Sequence, residues 1–246
     1  MRKNLVSIAL HNEVPLPLIS FDAGALPPDA VAGSVRQALA AGYRAIGVRP
    51  SGESGAGEAI RDLPREDVFI TLTLPGTGTA DALASALRML DTDRIDLVLL
   101  ERPTAQAWRE LTRAQAEAQV RALGVAGLTA DGLRDFIDTI GLPAVHRLEL
   151  HPREPRAELR ALHSRHGIVT VAADPLGPGD LPAVLRGLAA KYGKSPAQLV
   201  LRWQLELGHA VVVGPGPRTL LAEQLGVFDF ELADDDLAVI AELEGT

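Results

Sequence analysis

A chain of 246 residues can enclose one large core, and a single domain is expected over residues 1–246. Its 47% hydrophobic and 23% charged residues are the balance of a globular protein, not of a disordered or membrane-spanning one. The formal net charge of −8 argues against gripping nucleic-acid phosphates or anionic lipid, and the lack of cysteine excludes disulfides, thiolate metal sites and cysteine nucleophiles.

Met1 to Leu10 carries Arg2 and Lys3 but no apolar run long enough for a signal peptide, and no later stretch approaches a membrane span, so a cytoplasmic protein without a membrane partner is expected. The short runs Leu5 to Leu10 and Val14 to Pro17, around His11-Asn12-Glu13, predict a hairpin. Eight β-rich runs follow, each preceding an amphipathic helical pattern: Leu18 to Phe21, Tyr43 to Val48, Val68 to Thr73, Ile95 to Leu100, Arg121 to Val125, Val145 to Leu150, Ile168 to Ala172 and Ala210 to Val213. This alternation predicts a parallel sheet covered by helices. Helix boundaries are marked locally, by Ser195 capping ahead of Pro196 and by Gly141 and Gly208 as stops. Trp108 and Trp203 are expected to pack helices against the sheet.

Several segments in this order carry a resemblance. They are Gly42-Tyr43-Arg44-Ala45-Ile46, Ala86-Leu87-Arg88-Met89-Leu90 leading to Arg94-Ile95-Asp96-Leu97, Val120 to Val125, Leu148-Glu149-Leu150-His151-Pro152, Pro175-Leu176-Gly177, Lys194 to Gln198 through Leu201-Arg202-Trp203, and Val227 to Leu232. Together they resemble the aldo-keto reductases from end to end. The resemblance implies a (β/α)8 barrel plugged at its base by the N-terminal hairpin, a fold of about 250 residues with its chemistry at the C-terminal mouth. It also implies a nicotinamide cofactor across that mouth. Glu149 and His151 belong to the family pattern and are expected to be structural.

In that family a tyrosine donates a proton to the substrate carbonyl, a lysine lowers the phenol's pKa, an aspartate holds the lysine and a histidine orients the carbonyl. A free phenol titrates near pH ~10, so it needs the ammonium to work at neutral pH. Matching the motifs puts Gly47 at the aspartate, Thr73 at the lysine and Glu101 at the histidine position, with Ser51 nearest to the tyrosine. The chain has only two tyrosines, Tyr43 and Tyr192, and three lysines, Lys3, Lys191 and Lys194; none is expected at the mouth.

The cofactor positions differ too. Ala126-Gly127 replaces the family's Ser-Asn pair, Arg147 its glutamine and Ala173 its stacking tyrosine, while Gly214, Pro215, Leu220 and Gln224 replace the residues that grip the adenosine phosphate. Short loops beyond Pro103, and a chain ending at Thr246 straight after its last helix, predict an open mouth with poor water exclusion. The expectation is therefore a non-catalytic pseudoenzyme with its NADPH site lost, no cofactor, and a small-molecule ligand or protein partner. Against it stands a turn, Gly214-Pro215-Gly216 with Arg218, that could still hold a phosphate.

Asp22, Arg49, Glu101, Arg102, Arg147, Glu149 and Asp174 fall at strand ends expected to face the mouth. They form either a new polar pocket for a charged or zwitterionic ligand or a set of ion pairs filling vacated space. Two enzymatic alternatives stay open: an NAD(P)H-dependent oxidoreductase using Glu101 as proton donor, and a different enzyme built on the acidic residues. His163 and His166, three apart on a helix beside Arg165, are expected on a solvated face, with no metal bound.

Overall fold

The structure, a computed structural model, describes residues 6–243. Met1 to Leu5, including part of the first expected hairpin run and Lys3, and the chain end at Thr246 lie outside the described residues. A hairpin of β1 (Ser7–Ala9) and β2 (Pro15–Pro17) comes first, antiparallel, with Ile8 opposite Leu16. Eight parallel strands then close into a barrel: β3 (Ile19–Asp22), β4 (Ala45–Val48), β5 (Phe69–Pro75), β6 (Ile95–Glu101), β7 (Val120–Ala126), β8 (Val145–Glu149), β9 (Val169–Ala173) and β10 (Ala210–Val213), with β10 pairing back onto β3. Each expected strand is present. The second begins later than predicted, at Ala45, because the Gly42 and Tyr43 N–H groups still donate to the Ala38 carbonyl at the end of the preceding helix.

Around the barrel lie α1 (Pro28–Ala41), α2 (Glu53–Ile60), α3 (Thr79–Met89), α4 (Ala105–Ala116), α5 (Ala130–Thr139), α6 (Ala157–His166), α7 (Ala183–Lys191), α8 (Pro196–Glu206), α9 (Arg218–Gln224) and α10 (Asp234–Ala241). Side-chain oxygens satisfy the first free N–H groups of three of them: Thr104 caps α4, Thr129 caps α5, and Ser195 with Gln198 forms a reciprocal capping box on α8. None of the described helices is long and apolar enough to cross a membrane.

Strand alternation splits the apolar residues into two cores. On β6, Val98 and Leu100 point outward to the helices, whereas Leu97 and Leu99 point into the barrel with Phe69, Val145 and Val171. The hairpin closes the bottom of the inner core with Leu10, Val14 and Leu16. Sealing that end leaves the opposite, C-terminal mouth as the approach to the interior.

Between strands and helices runs a buried polar chain absent from the sequence expectations. The Leu128 N–H donates to His146 Nε2 (3.2 Å), His146 Nδ1 lies 2.8 Å from His163 Nε2, and His163 Nδ1 lies 2.8 Å from Thr170 Oγ1. Because Leu128 donates, His146 Nε2 accepts, so its proton sits on Nδ1 and points to His163; His163 in turn donates to Thr170. His163 is therefore not on a solvated face but 1% exposed. Burial, reinforced by His163, holds His146 down to about 3, and burial holds His163 down to about 4. A third buried histidine, His209, paired with Gln204 Oε1 at 2.7 Å, is lowered to about 3 by burial and then by Arg160 and His163.

All three folded values lie below the ordinary 6.5, so the unfolded chain binds more protons as pH falls through that value. Their stabilisation is full above pH ~6.5 and is lost progressively toward pH ~4. The midpoint of urea unfolding should drop between pH 7.5 and 5.5, above the range of ordinary carboxylates, and drop less in His163→Gln; an unchanged midpoint would refute the neutral chain.

Candidate active site

Four expected residues meet at the barrel mouth. Asp22 ends β3, Arg49 follows β4, Glu101 ends β6, and Arg147 lies on β8 with its side chain directed inward. Arg147 Nη1 donates to Asp22 Oδ2 (3.2 Å), Arg49 Nη2 donates to Glu101 Oε1 (2.6 Å), and Arg147 Nη2 stands 3.8 Å from the same Glu101 oxygen. Asp22 is oriented by the Gly24 N–H, which donates to its Oδ1 at 2.8 Å.

The absence of a side chain at Gly47 makes this arrangement possible. A Cβ there would stand 2.9 Å from Asp22 Oδ1, so the Asp22 carboxylate fills the space beside β4 that a side chain on residue 47 would need. The resemblance put the family's aspartate at that position. Here a carboxylate reaches nearly the same place from the neighbouring strand.

Electrostatics fix the charges. The hydrogen bond from Arg49 keeps the Glu101 carboxyl below its usual range, with Arg147 and Arg102 adding to the effect, and the same bond raises Arg49. Burial pushes the Arg147 guanidinium down, with Asp22 opposing. Its side chain is only 8% exposed, so it remains charged through the two neighbouring acids.

Strained backbone occurs at this end, as it does at Asp91 and Ala118 at the opposite one. Ser51, Arg102 and Asp174, following β4, β6 and β9, have φ of 80°, 50° and 47° without being glycine. Such conformations cost on the order of 1–3 kcal/mol each and concentrate at functional sites. Gly76 is required beside this rim, because a Cβ there would come within 2.0 Å of the Arg102 carbonyl oxygen.

A groove of about 400 Å³ opens here, lined by Glu101, Arg102, Gly127, Arg147, Glu149 and Ala173 among others. Below Arg147 and Asp22 a narrow, mainly apolar channel of about 20 Å³ descends toward Leu16 and Phe69, enough for roughly one water.

The remaining candidates are dispersed. Thr73 is buried in β5, and Ser51 is exposed. Glu149 turns toward His151, whose Nε2 is 3.5 Å away, while His151 Nδ1 is buried without a hydrogen-bond partner. Asp174 and Arg102 are exposed at the rim. Gly214 and Gly216 lie between β10 and α9, and exposed Arg218 points to the Ala40 carbonyl (3.4 Å).

Both tyrosines sit elsewhere. The Tyr43 hydroxyl donates to Gln224 Oε1 and burial raises its pKa, so it is no proton donor at neutral pH. Tyr192 hydrogen bonds to Asp236, as does Lys191, fastening α10 to the end of α7. No group of three or more possible metal ligands occurs among the described residues.

The chain belongs to the aldo/keto reductase family, whose model matches residues 19–244. It is 36% identical to an aldo-keto reductase of Mycobacterium sp. (strain MCS), across 98% of this chain and 92% of that protein. It is 34% identical to aldo-keto reductase ML1669 of Mycobacterium leprae, across 100% and 94%. Among solved structures it resembles an aldo/keto reductase from Brucella melitensis, with TM-score 0.91 and 30% identity over 97% of this chain and 99% of that one. It also resembles a mutant of Gox0644 in complex with NADPH, with TM-score 0.91 and 29% identity over 98% and 94%.

These relationships correct the expectations of a pseudoenzyme, of a lost NADPH site and of no cofactor. A relative superposing along nearly the whole chain is captured with NADPH. Side-chain contacts differ at Ala126, Arg147, Ala173 and Gly214, whereas the groove and the exposed main chain at Gly127 and Gly214 are present.

Removing the Asp22 carboxylate strips Arg147 of its hydrogen bond while leaving its charge buried. Asp22→Ala should lower unfolding free energy by roughly 3 kcal/mol in urea titrations. A loss below about 0.5 kcal/mol would show that water replaces the pair.

Proposed function

We propose that this protein is an NADPH-dependent oxidoreductase of carbonyl compounds, with Glu101 as proton donor. The observation that carries the reading is the end-to-end likeness to a family member in complex with NADPH, combined with an open groove at the barrel mouth. The cofactor fits what is present. Around Gly127 and Gly214 no atom lies within 4 Å of where a Cβ would stand, so the main chain there is open to close approach. Ala126, Gly127 and Ala173 leave room for the nicotinamide; Gly214, Gly216 and the exposed Arg218 would meet the phosphate end. NADPH supplies the hydride that goes to the carbonyl carbon.

With the family positions occupied by Gly47, Ser51 and Thr73, and Asp22 held by Arg147 and the Gly24 N–H, Glu101 is the central acid that lines the groove, and its carboxyl gives the proton to the carbonyl oxygen. In the free protein Arg49 keeps Glu101 ionised, so donation requires the pair to open. Covering the groove removes water from Glu101 and pushes its pKa upward, toward a protonated carboxyl. The cytoplasm is the proposed setting, on the sequence argument above.

Oxidation of NADPH followed by absorbance against a panel of aldehydes and ketones tests this. Turnover is expected, reduced about 100-fold or more in Glu101→Gln, with loss of the limb of the pH profile that reports the acid. No saturable NADPH binding at millimolar concentration, or turnover unaffected by the substitution, would contradict it.

A further inference from the structure

We infer that the mouth selects carbonyl compounds that also carry a carboxylate, and that Arg147 is the residue that binds it. As a statement about substrate this rests on the oxidoreductase reading above; as a statement about binding it rests on Arg147 alone.

A guanidinium carries five N–H donors, and burying it with few acceptors is costly. Arg147 is more than nine-tenths buried by its side chain, lines both the groove and the channel below, and makes a single hydrogen bond, to Asp22 at 3.2 Å. Its Nη2 is 3.8 Å from Glu101, too far for a hydrogen bond, and its Nε meets no hydrogen-bond acceptor among the described residues. The two acids are each held by another donor: Asp22 Oδ1 accepts from the Gly24 N–H at 2.8 Å and Glu101 Oε1 from Arg49 at 2.6 Å, both shorter than their distances to Arg147.

What remains is the Nε–Nη2 edge, two parallel donors backed by a full charge. Its natural complement is a group with two equivalent, negatively charged acceptor oxygens in one plane, which a carboxylate supplies and an uncharged ester, amide or simple aldehyde does not. The desolvation that lowers the Arg147 pKa acts in the same direction, since a further anion would relieve it. Asp174 and Glu149 at the rim face water, and the exposed Arg102 offsets part of their charge at the entrance. A carboxylate on Arg147 sits next to Glu101, which places the adjoining carbonyl of a keto acid within the proton donor's neighbourhood.

The test is isothermal titration of the full chain without cofactor, using 2-oxobutanoate, its methyl ester and inorganic phosphate. Saturable binding of the keto acid is expected, with the ester weaker by about tenfold or more. Arg147→Lys, which keeps the charge and loses the fork, should weaken the keto acid about tenfold while its thermal unfolding midpoint reports that it is folded. Equal binding of acid and ester, preference for phosphate, no saturable binding of the keto acid, or unchanged affinity in a folded Arg147→Lys would each overturn the inference. The acid-to-ester comparison uses the unaltered protein, so it decides the matter even if the variant does not fold. If neutral aldehydes are reduced without any preference for keto acids, this inference fails and the oxidoreductase reading stands. If the keto acid binds through Arg147 but no carbonyl is reduced, the carboxylate site stands and the oxidoreductase reading fails.

Discussion

The mouth is organised by one ion pair across the top of the barrel, between Asp22 on β3 and Arg147 on β8. A guanidinium this deeply buried keeps its charge, and a carboxylate against it offsets the cost of burying it. Asp22 can stand there because Gly47 leaves its space open and Gly24 N–H holds the second oxygen. Arg147 then lies close enough to Glu101 to join a second pair, Glu101 with Arg49, so four charges from four strand ends share one focus. The strained backbones at Ser51 and Arg102 flank it, as the ends of β4 and β6 turn outward to begin their loops.

Much of the architecture was legible because (β/α)8 barrels repeat their signals. Most strands are largely apolar, with Asp22 on β3 and His146, Arg147 and Glu149 on β8 among the exceptions; the sheet is covered inside by the second core and outside by helices, and boundaries such as Ser195 or Gly208 mark the helices that follow. The meeting of Asp22, Arg49, Glu101 and Arg147 was legible too, since strand ends of a parallel barrel converge on one face. Glu149 and Asp174 stand apart from these ion pairs: Glu149, in phase with Arg147 on β8, lines the groove at its exposed rim and turns toward His151, and Asp174 lies just past the end of β9. His163 was misplaced by its charged neighbours. The better signal was helical spacing, since Leu159 and Leu162 mark the buried face of α6 and His163 lies one turn beyond Leu159.

The cofactor shows a different limit of residue-by-residue reasoning. Replacing Ser, Asn and Tyr contacts by Ala126, Gly127 and Ala173 removes side-chain handles, yet it also leaves space in the groove and bares main chain. Family membership with a relative bound to NADPH gives that remaining shape its weight. Arg147 puts a guanidinium where the family has an amide, and this supplies the charged recognition argued for the substrate.

The most direct measurement is a crystal structure of the full chain with NADPH and a keto acid together. The account predicts nicotinamide in the groove over Ala173, the carboxylate on the Nε–Nη2 edge of Arg147, and Glu101 released from Arg49 toward the carbonyl oxygen. Cofactor bound elsewhere, or a groove without it while Glu101 remains paired with Arg49, would contradict it.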